Sequence, residues 1–74
     1  MPGVAIGATP TLWGMTDDWD AATVRALRSR LGLSQMAFAV LLNVRQQTIS
    51  EWERGAYRPR GASARLLTVV SDAL

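Results

Sequence analysis

Gln46, Gln47, Ser50 and Glu51 gather more hydrogen-bonding chemistry than any other stretch of this 74-residue chain. Their spacing puts them together on one side of a helix. A primary amide donates and accepts at once, and this matches the N7 acceptor and N6 donor that adenine shows in the major groove. A serine hydroxyl serves either role. A carboxylate accepts from cytosine N4 but repels phosphate, so Glu51 acts by rejection as well as attraction. Glutamine is also a good solvated helix former, which is the plainer account of Gln46 and Gln47. Arg45 stands just before them, at the position that caps the helix. Arginine offers no acceptor to the orphaned amides and its charge opposes the positive helix end, a loss on the order of 1–2 kcal/mol. A local rule broken without structural gain marks a functional position. A phosphate at that helix end would satisfy guanidinium and amides together; the alternative is a solvent-facing arginine on a frayed helix.

These residues need two helices and a corner to hold them. Ser34 is a good N-cap for a helix beginning at Gln35. Phe38, Ala39 and Leu42 make its buried stripe, and Asn43, which tolerates left-handed backbone, ends it. Val44 plugs inward. The second helix, 46–54, turns Ile49 and Trp52 to the core and the polar set outward. The pattern is a helix-turn-helix.

The matching residues are LGLSQ (31–35), FA (38–39), NV (43–44), QQTIS (46–50), WERG (52–55) and RPRGA (58–62). Through them the chain resembles, over residues 20 to 74, the Xre/Cro/C1 class of lambdoid-repressor-like DNA-binding proteins. The competing account is a chance pair of amphipathic helices. The resemblance implies that Gln35 contacts phosphate and braces the amide of Gln46. It also implies that Arg28 pairs with Glu53, fixing geometry more than adding stability, since desolvation cancels much of the attraction. Family members often carry a fifth helix that makes the dimer contact, whereas the pattern here supports four. Where the family usually has serine or threonine at the cap, this chain has Arg45.

Around that pair, Asp20 caps a first helix through Ala22 or Thr23, Trp19 and Val24 are spaced for a hydrophobic staple, and Gly32 closes it. Val24, Leu27 and Leu31 form its core stripe, leaving Arg25 and Arg30 as solvated residues. Ala56 to Gly61 reads as a basic loop stiffened by Pro59, with Arg58 and Arg60 as phosphate or minor-groove contacts. Arg54 and Arg65 are surface charges or outlying phosphate contacts. A last helix runs from about Ala62 with Leu66, Val69, Val70 and Ala73 facing inward. Met36, Ala37, Val40 and Leu41 fall outside the stripe of their helix, and exposed apolar neighbours of this kind mean either a partner or an intramolecular cover from the N-terminal segment. Residues 1–18 read as a non-helical extension, extended or disordered. Trp13 in that extension, with Met36 and Val40, is the candidate protein interface.

Composition narrows the classes. There is no Cys and no His, so no disulfide framework and no imidazole for metal or acid–base work; no metal site and no cofactor are expected. Glu51 and Glu53, two apart on a helix, point to different faces and form no catalytic dyad. No apolar run approaches the roughly 18 residues of a membrane span, and the N-terminus lacks a basic secretory n-region. Residues 1–20 carry a net charge of −3 and residues 21–74 a net charge of +5, every cation being arginine. That polarity suits a nucleic-acid partner, although a GC-rich genome would also favour arginine over lysine.

The expectation is an all-α chain: a compact four-helix helix-turn-helix domain over 19–74, lambda-repressor-like without a fifth helix, behind the non-helical extension. It is expected to be a cytoplasmic, nucleoid-associated, non-enzymatic regulator that binds double-stranded DNA as a homodimer. A dimeric, self-regulating repressor reading a pseudo-palindromic operator is the leading form. The alternative is an antitoxin or adaptor whose main partner is a toxin-like protein.

Overall fold

The computed structural model describes residues 18–74. The extension and Trp13 therefore lie outside the described residues, apart from Asp18. Four helices follow one another: α1 (Ala21–Leu31), α2 (Gln35–Leu42), α3 (Gln46–Arg54) and α4 (Gly61–Asp72). No strand occurs among the described residues.

Local chemistry sets the helix ends. The Asp20 carboxylate accepts from the Thr23 amide at 2.9 Å, and the Asp20 amide donates to the Thr23 hydroxyl at 2.9 Å. This is a capping box with threonine in the place usually taken by Glu or Gln. Ser34 caps α2 by accepting from the Ala37 amide at 3.1 Å. The first three helices end alike. After α1, the Gly32 amide reaches the Ser29 carbonyl and the Leu33 amide reaches Arg28; after α2, Asn43 reaches Val40 and Val44 reaches Ala39; after α3, Gly55 reaches Trp52 and Ala56 reaches Glu51. Each is a Schellman closure that satisfies carbonyls left over at a helix end. At Asn43 the left-handed turn (φ 58°) falls on a side chain rather than on glycine; asparagine is among the few residues that accept it.

The closures aim the apolar faces at one centre. Val24, Leu27, Phe38, Ala39, Leu42, Ile49, Trp52 and Leu67 form the core, with Trp19, Leu31, Leu33, Val44 and Val70 packed against it. Helix α3 lies against both α1 and α2, and α4 lies against α2. Phe38, Ile49 and Leu67 are fully buried, and burying a side chain of this size stabilises by roughly 1.5–3 kcal/mol.

Helix α4 corrects the sequence reading. Its buried residues are Ala64, Leu67 and Thr68, with Val70 half-buried, while Leu66, Val69 and Ala73 are exposed. The helix is rotated because Thr68 is satisfied inside the protein. Its hydroxyl accepts from the Trp19 indole N–H at 3.0 Å and donates to the Ala64 carbonyl at 3.2 Å. A polar side chain with both roles filled can be buried, and Leu67 then takes the central place.

Candidate nucleic-acid interface

The outer face of α3 exists because its inner face is fastened. Ile49 and Trp52 sit in the core and Glu53 is buried beside them, while Gln46 and Gln47 are exposed and Ser50 and Glu51 half-exposed. Gln47 donates to the Glu51 carboxylate at 3.3 Å, one turn along. Gln46 is tied across the corner, its Nε2 donating to Gln35 Oε1 at 2.9 Å. Gln35 in turn donates from its own Nε2 to Glu53 Oε1 at 3.1 Å.

Glu53 is the anchor of this arrangement, at 7% exposure. Arg28 grips it with both sides of its fork, Nε to Oε2 at 2.6 Å and Nη2 to Oε1 at 2.9 Å, and its third donor reaches the Leu33 carbonyl at 3.0 Å. Two parallel bonds between guanidinium and carboxylate fix both side chains in plane. Burial pushes the Glu53 carboxyl up, but hydrogen bonds from Arg28 and Gln35 and the charges of Arg28 and Arg25 outweigh it, and its pKa is lowered. The Glu53 bond in turn raises the Arg28 pKa against burial. Among the described residues no buried side-chain polar atom is left without a partner.

The arginines divide into two groups. Arg45 occupies the N-cap of α3 with extended backbone (φ −77°, ψ 150°), and no side chain caps that helix. Arg60 occupies the N-cap of α4 in the same condition. Both are exposed and neither has an ion-pair partner among the described residues. In the loop before α4, Pro59 is buried while Tyr57, Arg58 and Arg60 are exposed. Arg58 is met at 3.3 Å by Asp18 in a pair open to solvent on both sides. Met36 and Val40, at 61% and 74% exposure, lie on α2 beside Leu41, away from the core.

One contact departs from the sequence expectation. Arg25, read as solvated, donates to the Glu53 main-chain carbonyl and so closes a carbonyl near the end of α3. Its spacing of three from Arg28 puts both on one face of α1, which was the available clue. The link from Gln35 to Glu53 joins two helices across 18 positions of sequence, and no residue beside Gln35 on its own helix points to it.

A family model described as a helix-turn-helix domain matches residues 21–72. No curated protein and no solved structure matches the chain.

Proposed function

The chain belongs to the helix-turn-helix domain family, and from that membership and the amide-bearing face of α3 we infer that it is a regulator that binds double-stranded DNA. The observation that carries the reading is Gln46, exposed on α3 and held by Gln35 across the corner. A reading residue must be outside the fold yet fixed by it, and Gln46 meets both conditions. Gln46, Gln47, Ser50 and Glu51 face base edges in the major groove. Arg45, Arg58, Arg60 and the second N–H of Gln35 take phosphates. The uncapped starts of α3 and α4, each beside an exposed arginine, suit that role.

The finer form is an Xre/Cro/C1-like repressor that acts as a homodimer at the chromosome on a pseudo-palindromic operator, its own among them. Two-fold symmetry would place the reading helices roughly 34 Å apart, one turn of DNA. Selection from a randomised duplex pool, with the mass of the complex measured in solution, tests it. A two-fold site bound by two chains supports the reading, and unselective binding or none overturns it.

A second reading is favoured by the exposed Met36, Val40 and Leu41: an antitoxin or adaptor that docks a toxin-like protein there, with Trp13 adding to the contact. Met36→Ser with Val40→Ser separates the two. DNA affinity should hold while co-purification of a partner is lost.

A further inference from the structure

The geometry points to a second role for Glu53: through Gln35 it fixes which way round the Gln46 amide sits, and so sets the order of donor and acceptor that α3 offers to a base. This rests on the DNA-reading role proposed above and adds a positioning residue to it.

An ionised carboxylate only accepts. Glu53 Oε1 takes Arg28 Nη2 at 2.9 Å and Gln35 Nε2 at 3.1 Å, while Oε2 takes Arg28 Nε at 2.6 Å. Gln35 must therefore turn its NH₂ toward Glu53. Turned round, it would set oxygen against oxygen with no hydrogen between, beside a buried charge that needs donors. With the NH₂ so committed, Gln35 Oε1 faces Gln46. Oxygen there only accepts, so Gln46 must turn its own NH₂ inward, and the bond forms at 2.9 Å. One N–H of Gln46 is used, leaving the other N–H and the Oε1 for a ligand. That pair matches adenine, N–H to N7 and Oε1 from N6–H.

Without the anchor, two glutamines can bond either way round, since each amide carries both a donor and an acceptor. Both orders would then be open at one site, and the preference for a single base would weaken. The buried pair thus acts from the last turn of α3 on a residue in its first, by way of α2. The link runs through two hydrogen bonds, and none joins Gln46 to Glu53 directly.

The test compares Gln46→Ala, Gln35→Leu and Glu53→Gln on a selected operator and its single-base variants. Gln35→Leu cuts the relay and leaves the Arg28–Glu53 pair whole, so it keeps the experiment decisive if Glu53→Gln folds poorly. All three should flatten preference at the same base pair of each half-site by about tenfold, and neither relay variant should flatten it further once Gln46 is alanine. In the free protein, the Gln46 side-chain amide resonance should shift on Glu53→Gln, although the two residues do not touch. If Gln46→Ala flattens one position while both relay variants leave it sharp, the DNA reading stands and the relay is overturned. Loss spread over all positions with the preference at that base pair left sharp, or a Gln46 resonance indifferent to Glu53→Gln, also overturns it. If Gln46→Ala changes no position, the base-reading role falls and the inference with it.

Discussion

The helix starts of this protein fall into two kinds. Helices α1 and α2 are closed by their own sequence, through Asp20 with Thr23 and through Ser34. Helices α3 and α4 begin at Arg45 and Arg60, with no side chain on their free amides. Both kinds face water, so exposure does not explain the difference. A cap is worth about 1 kcal/mol, and the chain has one at the starts of α1 and α2 but not at those of α3 and α4. Where it is forgone, a cation stands in its place. Closed ends build the scaffold, and the open ends are the two that the proposed function assigns to phosphate.

The largest effect expected tests the scaffold. Arg28→Met takes both fork bonds from the Glu53 carboxylate, leaving it Gln35 alone as a side-chain donor, and should destabilise the fold by about 1–3 kcal/mol, read as a shift in the urea midpoint. A loss under 1 kcal/mol would mean the pair is not truly buried.

The second prediction sharpens the open side. Gln46→Ala should cost about 1–3 kcal/mol on the selected site and relax one base pair per half-site. Arg45→Ala should instead weaken all duplexes alike and flatten the salt slope by about one unit. Equal losses for Gln46→Ala on selected and random duplex would end its base-reading role.

Acid tests the scaffold in another way. The Glu53 pKa is lowered below 4.5, because donors from Arg28 and Gln35 and nearby cations outweigh its burial. Its contribution is therefore complete above the unfolded value and is lost as pH falls through the folded one. Asp20 is shifted the same way by its Thr23 hydrogen bonds. Stability should fall as the pH drops below the ordinary carboxylate range, and Glu53→Gln should show a shallower fall than the parent. A parallel fall in both would assign the acid response elsewhere.

The smallest effect addresses the comparison directly. Asp20→Ala should lower the melting temperature with DNA affinity unchanged. Arg45→Ser should raise stability by up to about 1 kcal/mol and weaken DNA binding. Thermal melts and binding isotherms on the same preparations decide it. If both substitutions move stability and affinity together, the two kinds of helix start are not distinct.

Much of the fold was legible because helix ends are local. Asp20, Gly32, Ser34, Asn43 and Gly55 lie within a few residues of the groups they satisfy, so side-chain chemistry alone marks the ends of α1, α2 and α3. The outward face of α3 was legible for the same reason, from the spacing of Ile49 and Trp52. The phase of α4 was not. Leu66, Val69 and Val70 look like a core stripe, and Thr68 looks like a surface residue until Trp19 is brought to it from 49 positions away.

Sequence by itself thus determined where the first three helices begin and end, which face of α3 carries amides, and that the cations fall after residue 20. These depend on short range order and on composition. Only the tertiary structure decided which side of α4 is buried, that Arg25 closes the end of α3, and that Gln35 joins Glu53 to Gln46. Those contacts span 11 to 49 residues. The physical reason is that a hydrogen-bonding side chain chooses its partner only after packing has set the helices side by side, and packing is a property of all of them at once.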